Sequence, residues 1–306
     1  MSEKERRSYF IGGIILSLLG AICFSTKAIF VKLAYRDTDV DAVALLALRM
    51  IFSLPFFLVF AFRSSSKSDN VKFTSREWIG VALVGALGYY VSSLLDFLGL
   101  QYISAGIERL VLFIYPTLVL LISAIVFKQK ITLIQGLAVA ITYVGLIMAF
   151  VSEANLAEGN SNFYVGSSLI FACAITYAMY VVGSGRLIPK VGAAKFNSYA
   201  MTSACIGVLL HFFIFSNDTI VNLAPSVYGY GVIMAILSTV IPSFLVSEGI
   251  KRIGSNNAAI VGSIGPVSTI IQANIFLYEP VTAAQIIGTV LILVGVFMIG
   301  RQKKTS

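Results

Sequence analysis

Residues 103–130 read ISAGIERLVLFIYPTLVLLISAIVFKQK. The stretch is too apolar for a surface helix, and it exceeds the roughly 20 mostly apolar residues that a bilayer crossing needs. Yet Glu108 and Arg109 stand side by side within it, and Pro116 interrupts it. A charge near the bilayer centre costs about 2.5–3.5 kcal/mol on insertion scales, so such residues are seldom idle. The stretch recurs 150 residues further on, at 253–280, as IGSNNAAIVGSIGPVSTIIQANIFLYEP. Pro116 meets Pro266, Ile103 meets Ile253 and Ile125 meets Ile275. Beyond it, Thr132, Gln135, Val144, Gly145 and Met148 meet Thr282, Gln285, Val294, Gly295 and Met298. The chain reads as two copies of one membrane unit, residues 1–151 and 152–306, forming a single membrane domain. The charged copy is the first.

Composition agrees. Of 306 residues, 58% are hydrophobic and 12% charged, and the mean hydropathy is +0.91. A soluble domain carries about 25% charged residues, so the chain is an integral membrane protein. Its apolar segments have the length of helices, unlike the alternating ten-residue segments of a membrane barrel. The first, Tyr9 to Leu33, is too long for the core of a cleavable signal and contains Lys27. Cys23, Cys173 and Cys205 fall in apolar segments without a C-x-x-C pair, and the only histidine is His211. The expectation is therefore buried thiols, with no metal, disulfide or cofactor.

Ten spans can be drawn: 9–33, 41–62, 77–100, 104–127, 131–151, 164–185, 196–215, 227–250, 256–277 and 281–300. One set of joints holds Lys4, Arg6 and Arg7, then Arg63, Lys67, Lys72 and Arg76, then Lys128 and Lys130. It continues with Arg186, Lys190 and Lys195, then Lys251 and Arg252, then Arg301, Lys303 and Lys304. That is 17 of the 22 Lys and Arg; Lys27, Lys32, Arg36, Arg49 and Arg109 are the other five. The alternate joints hold Arg36 among Asp37, Asp39, Asp41, Glu153, Glu158, Asp218 and Glu279. By the positive-inside rule both termini are cytoplasmic. The net charge of +8 thus reports topology rather than nucleic-acid binding. Five spans per copy, an odd number, invert the second copy relative to the first. Inverted repeats that rock about a midplane site are a transporter signature.

The sequence resembles the drug/metabolite transporter superfamily, EamA type, over its whole length. The resemblance rests on the duplicated ten-span pattern, Pro116 and Pro266 in the fourth helix of each half, Arg49 in the second helix, and the ending LYEPVTAAQIIGTVLILVGVFMIG at 277–300. The chain departs from the family pattern at Gln129, where a Glu is often seen, and at Cys23, where an aromatic is common. The resemblance implies a central cavity lined by helices 1, 3, 4, 6, 8 and 9. It also implies a cargo of small metabolites or amino acids, often exported.

Lys27, Arg49, Asp96, Glu108 and Arg109 fall at similar depth, in the outer half of the expected membrane. They must pair, face water or both. One reading is a structural salt-bridge network across helices 1 to 4, with Arg49 and Asp96 as members. The other is a substrate-binding wall. Glu108 and Arg109 are about 100° apart on a helix, so one is assigned to the network and the other to the cavity. Lys27 is expected to be neutralised by Asp96 or Glu108, and Lys32 to snorkel from its helix end. Further candidates are Tyr89 on a polar stripe with Ser93 and Asp96, and Tyr115, seven residues after Glu108 and on its face. Others are Tyr180 with Tyr177, and Ser268 with Gln272; aromatic residues at such spacing also serve plain packing. Pro116 and Pro266, each freeing a carbonyl and bending its helix, are candidate gates. Glu248 is another, or else an interfacial acid paired with Lys251 or Arg252.

The reading is a secondary transporter of a small polar or amphipathic metabolite, amino-acid-like or an organic anion. Asp96, Glu108 and Glu248 are the available proton carriers, and simple exchange stays open. A membrane-embedded enzyme is a rival, but H-E-x-x-H and G-x-S-x-G are both absent from the sequence. A non-transporting scaffold is another, at odds with the buried charges. The expected partners are a small-molecule substrate and the lipid bilayer, not nucleic acid; a homodimer stays open.

Overall fold

The computed structural model describes residues 3–66, 72–128, 131–156, 162–216, 219–262 and 264–301. Every regular element among them is helical. In chain order these are α1 (Glu3–Asp37), α2 (Ala42–Ser65), α3 (Ser75–Gly99), α4 (Ala105–Leu112), α5 (Tyr115–Phe127) and α6 (Leu133–Leu156). There follow α7 (Phe163–Val191), α8 (Ala193–Phe215), α9 (Pro225–Ala235), α10 (Ile241–Gly262), α11 (Ile264–Gln272) and α12 (Ala283–Arg301). Among the described residues, eight helical runs are long and apolar enough to cross a membrane. The last two expected spans are shorter apolar helices, Ile264–Leu277 and Ala283–Met298. The joints at Lys67–Asp69, Gln129–Lys130 and Glu158 lie outside the described residues.

Polar side chains set where the helices begin. Asp41 Oδ2 accepts from the backbone N–H groups of Val43 and Ala44, at 2.7 and 3.1 Å, and starts α2. Thr74 and Glu77 form a reciprocal capping box at the start of α3. Ser104 accepts from Ile107 N and starts α4. Large apolar side chains such as Phe62, Ile125, Leu133 and Phe213 stand exposed, as a lipid-facing surface requires.

The fourth expected span is broken. The helix stops at Leu112, turns through Phe113 and Ile114, and restarts at Tyr115 with Pro116 in its first turn. A proline there displaces no helical hydrogen bond, because first-turn N–H groups have no intrahelical partner. The expected proline bend is therefore a break that precedes Pro116, and the seven-residue spacing from Glu108 to Tyr115 no longer fixes a shared face.

Of the three π-helical turns among the described residues, Ala273–Leu277 follows α11, and two form a pair, Ala86–Val91 inside α3 and Ile236–Val240 between α9 and α10. They sit 150 residues apart, in the register of the repeat. A second reciprocal feature joins α6 to α12. A side chain at Gly145 would strike the Gly288 carbonyl, and one at Gly295 would strike the Ala138 carbonyl. Shifted by 150 residues, the first contact becomes the second. Only glycine lets two helix backbones approach so closely.

Against α1 the chain doubles back. Gly20 packs on Val246, and Gly13 packs on Ile253. Ser25, however, bonds to the Gly265 carbonyl at 3.1 Å. A straight helix would carry Gly265 about 18 Å beyond Ile253, away from Ser25. Gly265 therefore lies back along α1 rather than beyond Ile253.

Candidate substrate site

Three segments of the first half, α1, α3 and α4, and one of the second, α7, meet around Lys27. Its Nζ on α1 lies 2.6 Å from Asp96 Oδ2 on α3 and 3.1 Å from Glu108 Oε1 on α4. Both carboxylates are buried, and Glu108 has no exposed surface. Lys27 thus bonds to both expected partners at once. The second oxygens, Asp96 Oδ1 and Glu108 Oε2, are buried without a hydrogen-bond partner among the described residues. Cys173 lies beside this trio, its Sγ 3.1 Å from Ser92 Oγ.

Arg109 leaves α4 in another direction, as adjacent helical residues must. Its Nη2 donates to Ser25 Oγ at 3.2 Å, and Ser25 in turn bonds to the carbonyls of Ala21 and Gly265. Arg109 forms no ion pair among the described residues, and its Nε is buried without a partner. Arg49 forms no ion pair among the described residues. Its Nε donates to Thr239 Oγ1 at 2.8 Å, its guanidinium lies 5.5 Å from the Phe97 ring centroid, and its Nη1 has no partner. Thr239 lies in the π turn after α9, so Arg49 ties the first half to the second.

A run of tyrosines borders the charges. Ring centroids lie 5.0 Å apart for Tyr115 and Tyr177, 5.7 Å for Tyr177 and Tyr180, and 5.0 Å for Tyr180 and Tyr89. Tyr177 and Tyr180 stack, while the other two contacts are edge-on. Tyr89, Tyr115 and Tyr177 lie deep in the bundle yet keep some accessible surface, as do Lys27 and Arg109.

The other candidates stand apart. Gln272 Nε2 donates to Ser268 Oγ at 2.7 Å, so these two satisfy each other. Pro266 is buried and Pro116 half-buried. Glu248 Oε1 accepts from Arg252 Nε at 2.9 Å, and the Arg252 guanidinium lies 5.0 Å from the Tyr9 ring centroid. Lys32, expected to snorkel, lies at the outer end of α1 beside the end of α3. Its Nζ donates to the carbonyls of Leu100 and Ile103, at 3.2 and 3.1 Å, just beyond the end of α3. The carbonyls left open at a helix end attract a cation.

Sequence reasoning assigned no role here to Ser25, Thr239 or Glu279. The Glu279 carboxylate accepts from Ala105 N at 2.9 Å and Gly106 N at 3.2 Å. It caps the helix that carries Glu108 and Arg109. A side chain at Gly106 would meet the Gln285 amide 2.5 Å away, so the corner at 278–285 docks against bare backbone. The available signal was the Tyr278-Glu279-Pro280 motif itself, whose acid has no charged counterpart at Gln129.

A helical bundle with a lipid-facing exterior and charged, partly accessible groups inside has the architecture of a membrane transporter. The sequence pattern of the EamA-like transporter family matches residues 11–151 and 164–301, and the chain belongs to that family, of the drug/metabolite transporter superfamily. YcbK of Bacillus subtilis, described as an uncharacterized transporter, is 34% identical over 294 residues, which cover 94% of this chain and 92% of YcbK. An uncharacterized transporter of Archaeoglobus fulgidus is 26% identical over 232 residues, covering 74% of this chain and 80% of its own. Among solved structures, one described only as the crystal structure of a protein superposes with a TM-score of 0.65. It is 18% identical and covers 96% of this chain and 98% of its own. That likeness concerns the fold.

Proposed function

We propose that the chain is a secondary transporter of a small polar or amphipathic metabolite, amino-acid-like or an organic anion, working by alternating access as an exporter. In this reading ten helices form two inverted five-helix repeats, 1–151 and 152–306, with both termini cytoplasmic. The 150-residue register, the paired π turns and the reciprocal glycine contacts support that arrangement. So does the placement of Gly265 back along α1 rather than beyond Ile253.

The observation that carries the substrate reading is the contrast between two cations. Lys27 is held by two carboxylates, whereas Arg109 is held by a serine hydroxyl, beside Tyr115 and Tyr177. A guanidinium offers a planar fork of donors that suits a carboxylate or phosphate. Arg109 is therefore assigned to the substrate anion, and Lys27, Asp96 and Glu108 to the scaffold that orients α4. The tyrosines supply the wall against which the remainder of the substrate packs. Release to either side would follow from rocking of the two halves about this site.

The test is flux of metabolite mixtures into proteoliposomes, read by mass spectrometry. The parent should move at least one anionic or zwitterionic metabolite. Arg109→Gln should reduce that flux at least tenfold while the protein stays folded. Unchanged flux in Arg109→Gln would remove Arg109 from the substrate site.

A further inference from the structure

Among the described residues Asp96 and Glu108 are the two buried acids. Glu248 is engaged by Arg252, Glu279 by the first N–H groups of α4, and Asp41 and Glu77 by helix starts. Asp96 and Glu108 differ from these because one ammonium serves both. Lys27 Nζ touches each of them, and the two carboxyl groups are also within hydrogen-bond reach of each other. Two ionised carboxylates cannot bond to one another, since each only accepts; a protonated one can donate. Asp96 Oδ1 and Glu108 Oε2 are the buried oxygens that find no donor among the described residues. One proton supplies a donor and leaves one cation facing one anion.

The surrounding groups agree with that balance. Arg109, next to Glu108 on α4, donates to Ser25, and Arg49 on α2 donates to Thr239. Neither forms an ion pair among the described residues. From α7 come the Cys173 thiol, bonded to Ser92, and Tyr177; α5 brings Tyr115 and α6 brings Tyr143. Over Ile264–Gln272, α11 carries no titratable side chain. Asp96 has the shorter bond to Lys27, 2.6 Å against 3.1 Å, and Glu108 has no exposed surface. The weaker-held and fully buried carboxyl is the one that keeps the proton, because an ionised group without water or a close partner is costly.

We propose that Asp96 and Glu108 form a proton-binding site, holding one proton on Glu108 in this conformation, and that this proton travels with the substrate anion bound at Arg109. The site itself rests on the geometry of the trio; its part in transport rests on the reading of the chain as a transporter. A guanidinium beside a carboxyl group favours the ionised form, and an anion seated on that guanidinium cancels the effect. Anion and proton therefore each tighten the binding of the other, and the coupling is reciprocal. On the side of release the Glu108 O–H gives its proton to water as the anion leaves. The carboxylate takes a proton from water when the next anion loads.

The experiment is infrared spectroscopy of the purified full chain, titrated with acid and base. At neutral pH the parent should show the carbonyl stretch of one protonated carboxyl group in a dry setting. Glu108→Gln should abolish that band, and carbon-13 labelling of glutamate in the parent should shift it. No such band, or a band that the labelling leaves in place, would overturn the proton site. The labelling uses the parent alone, so it decides even if Glu108→Gln fails to fold. Coupling is read in vesicles loaded with mixed amino acids and carboxylic acids, with the dye pyranine outside. Efflux should acidify the outer medium at least fivefold faster than in protein-free vesicles, with one proton per anion. Efflux without acidification would overturn the coupling and leave the transporter reading standing. No efflux at all would sink the transporter reading and the coupling with it, while the infrared band still decides the proton site.

Discussion

Lys27 and Arg109 carry the same formal charge and are held in opposite ways. Removing Lys27 strands two buried carboxylates. Breaking one side of a buried ion pair costs about 3–5 kcal/mol, so Lys27→Met should lower the melting temperature sharply. Adding Asp96→Asn and Glu108→Gln to Lys27→Met should restore most of the loss, because no charge is then left unpaired. If the single variant melts with the parent, the trio is wetter than the structure indicates. Arg109→Gln removes one hydrogen bond to Ser25, worth about 0.5–1.5 kcal/mol, and should lose flux rather than fold. The slab of five charges was legible in the sequence because each is costly in a membrane. Their pairing was not. Arg49 meets Thr239 across 190 residues, and Lys32 meets carbonyls of the α3 end, partners that no local pattern announces.

Two elements turn on how a helix begins. The Glu279 carboxylate satisfies the first two N–H groups of α4, and Ser104 satisfies the third. Glu279→Gln keeps the shape but sets an amide N–H₂ against backbone donors. A lost cap of this kind costs about 0.5–2 kcal/mol. The variant should show a modest fall in melting temperature and faster labelling of a cysteine introduced at Ser104. Pro116 gives the opposite expectation. Sitting in the first turn of α5, it withholds no bond, so Pro116→Ala should change stability by only about 0.4–1 kcal/mol and leave flux close to the parent's. A large loss of flux would mean that the rigid proline is itself the hinge. The break at Phe113–Ile114 could not be read in advance, since Leu112-Phe113-Ile114-Tyr115 continues the apolar pattern without a glycine or a polar signal.

For the molecule as a whole, the duplication was readable because packing and lipid exposure constrain both copies alike. The π turns were not, for Ala86–Val91 and Ile236–Val240 have no composition that sets them apart from ordinary helix. Inversion predicts sidedness. A cysteine at Glu158 should be labelled from outside intact cells, and one at Asp69 should not; the reverse pattern would turn the assigned orientation over. The copies also differ in one respect that matters to the cycle. Lys27, Arg49, Asp96, Glu108 and Arg109 correspond by register to Tyr177, Tyr199, Val246, Ala258 and Ala259. All the charge of the site therefore travels with one half. In the proposed alternating-access cycle, rocking of that half would move a net positive charge along the transmembrane electric field. Carrying a full charge across is worth about 2.3 kcal/mol per 100 mV, so traversing a fifth of the field is worth about 0.5 kcal/mol. The balance between the two open states should accordingly shift about twofold per 100 mV, even with an uncharged ligand bound. The protein would then sense membrane voltage without possessing a voltage sensor.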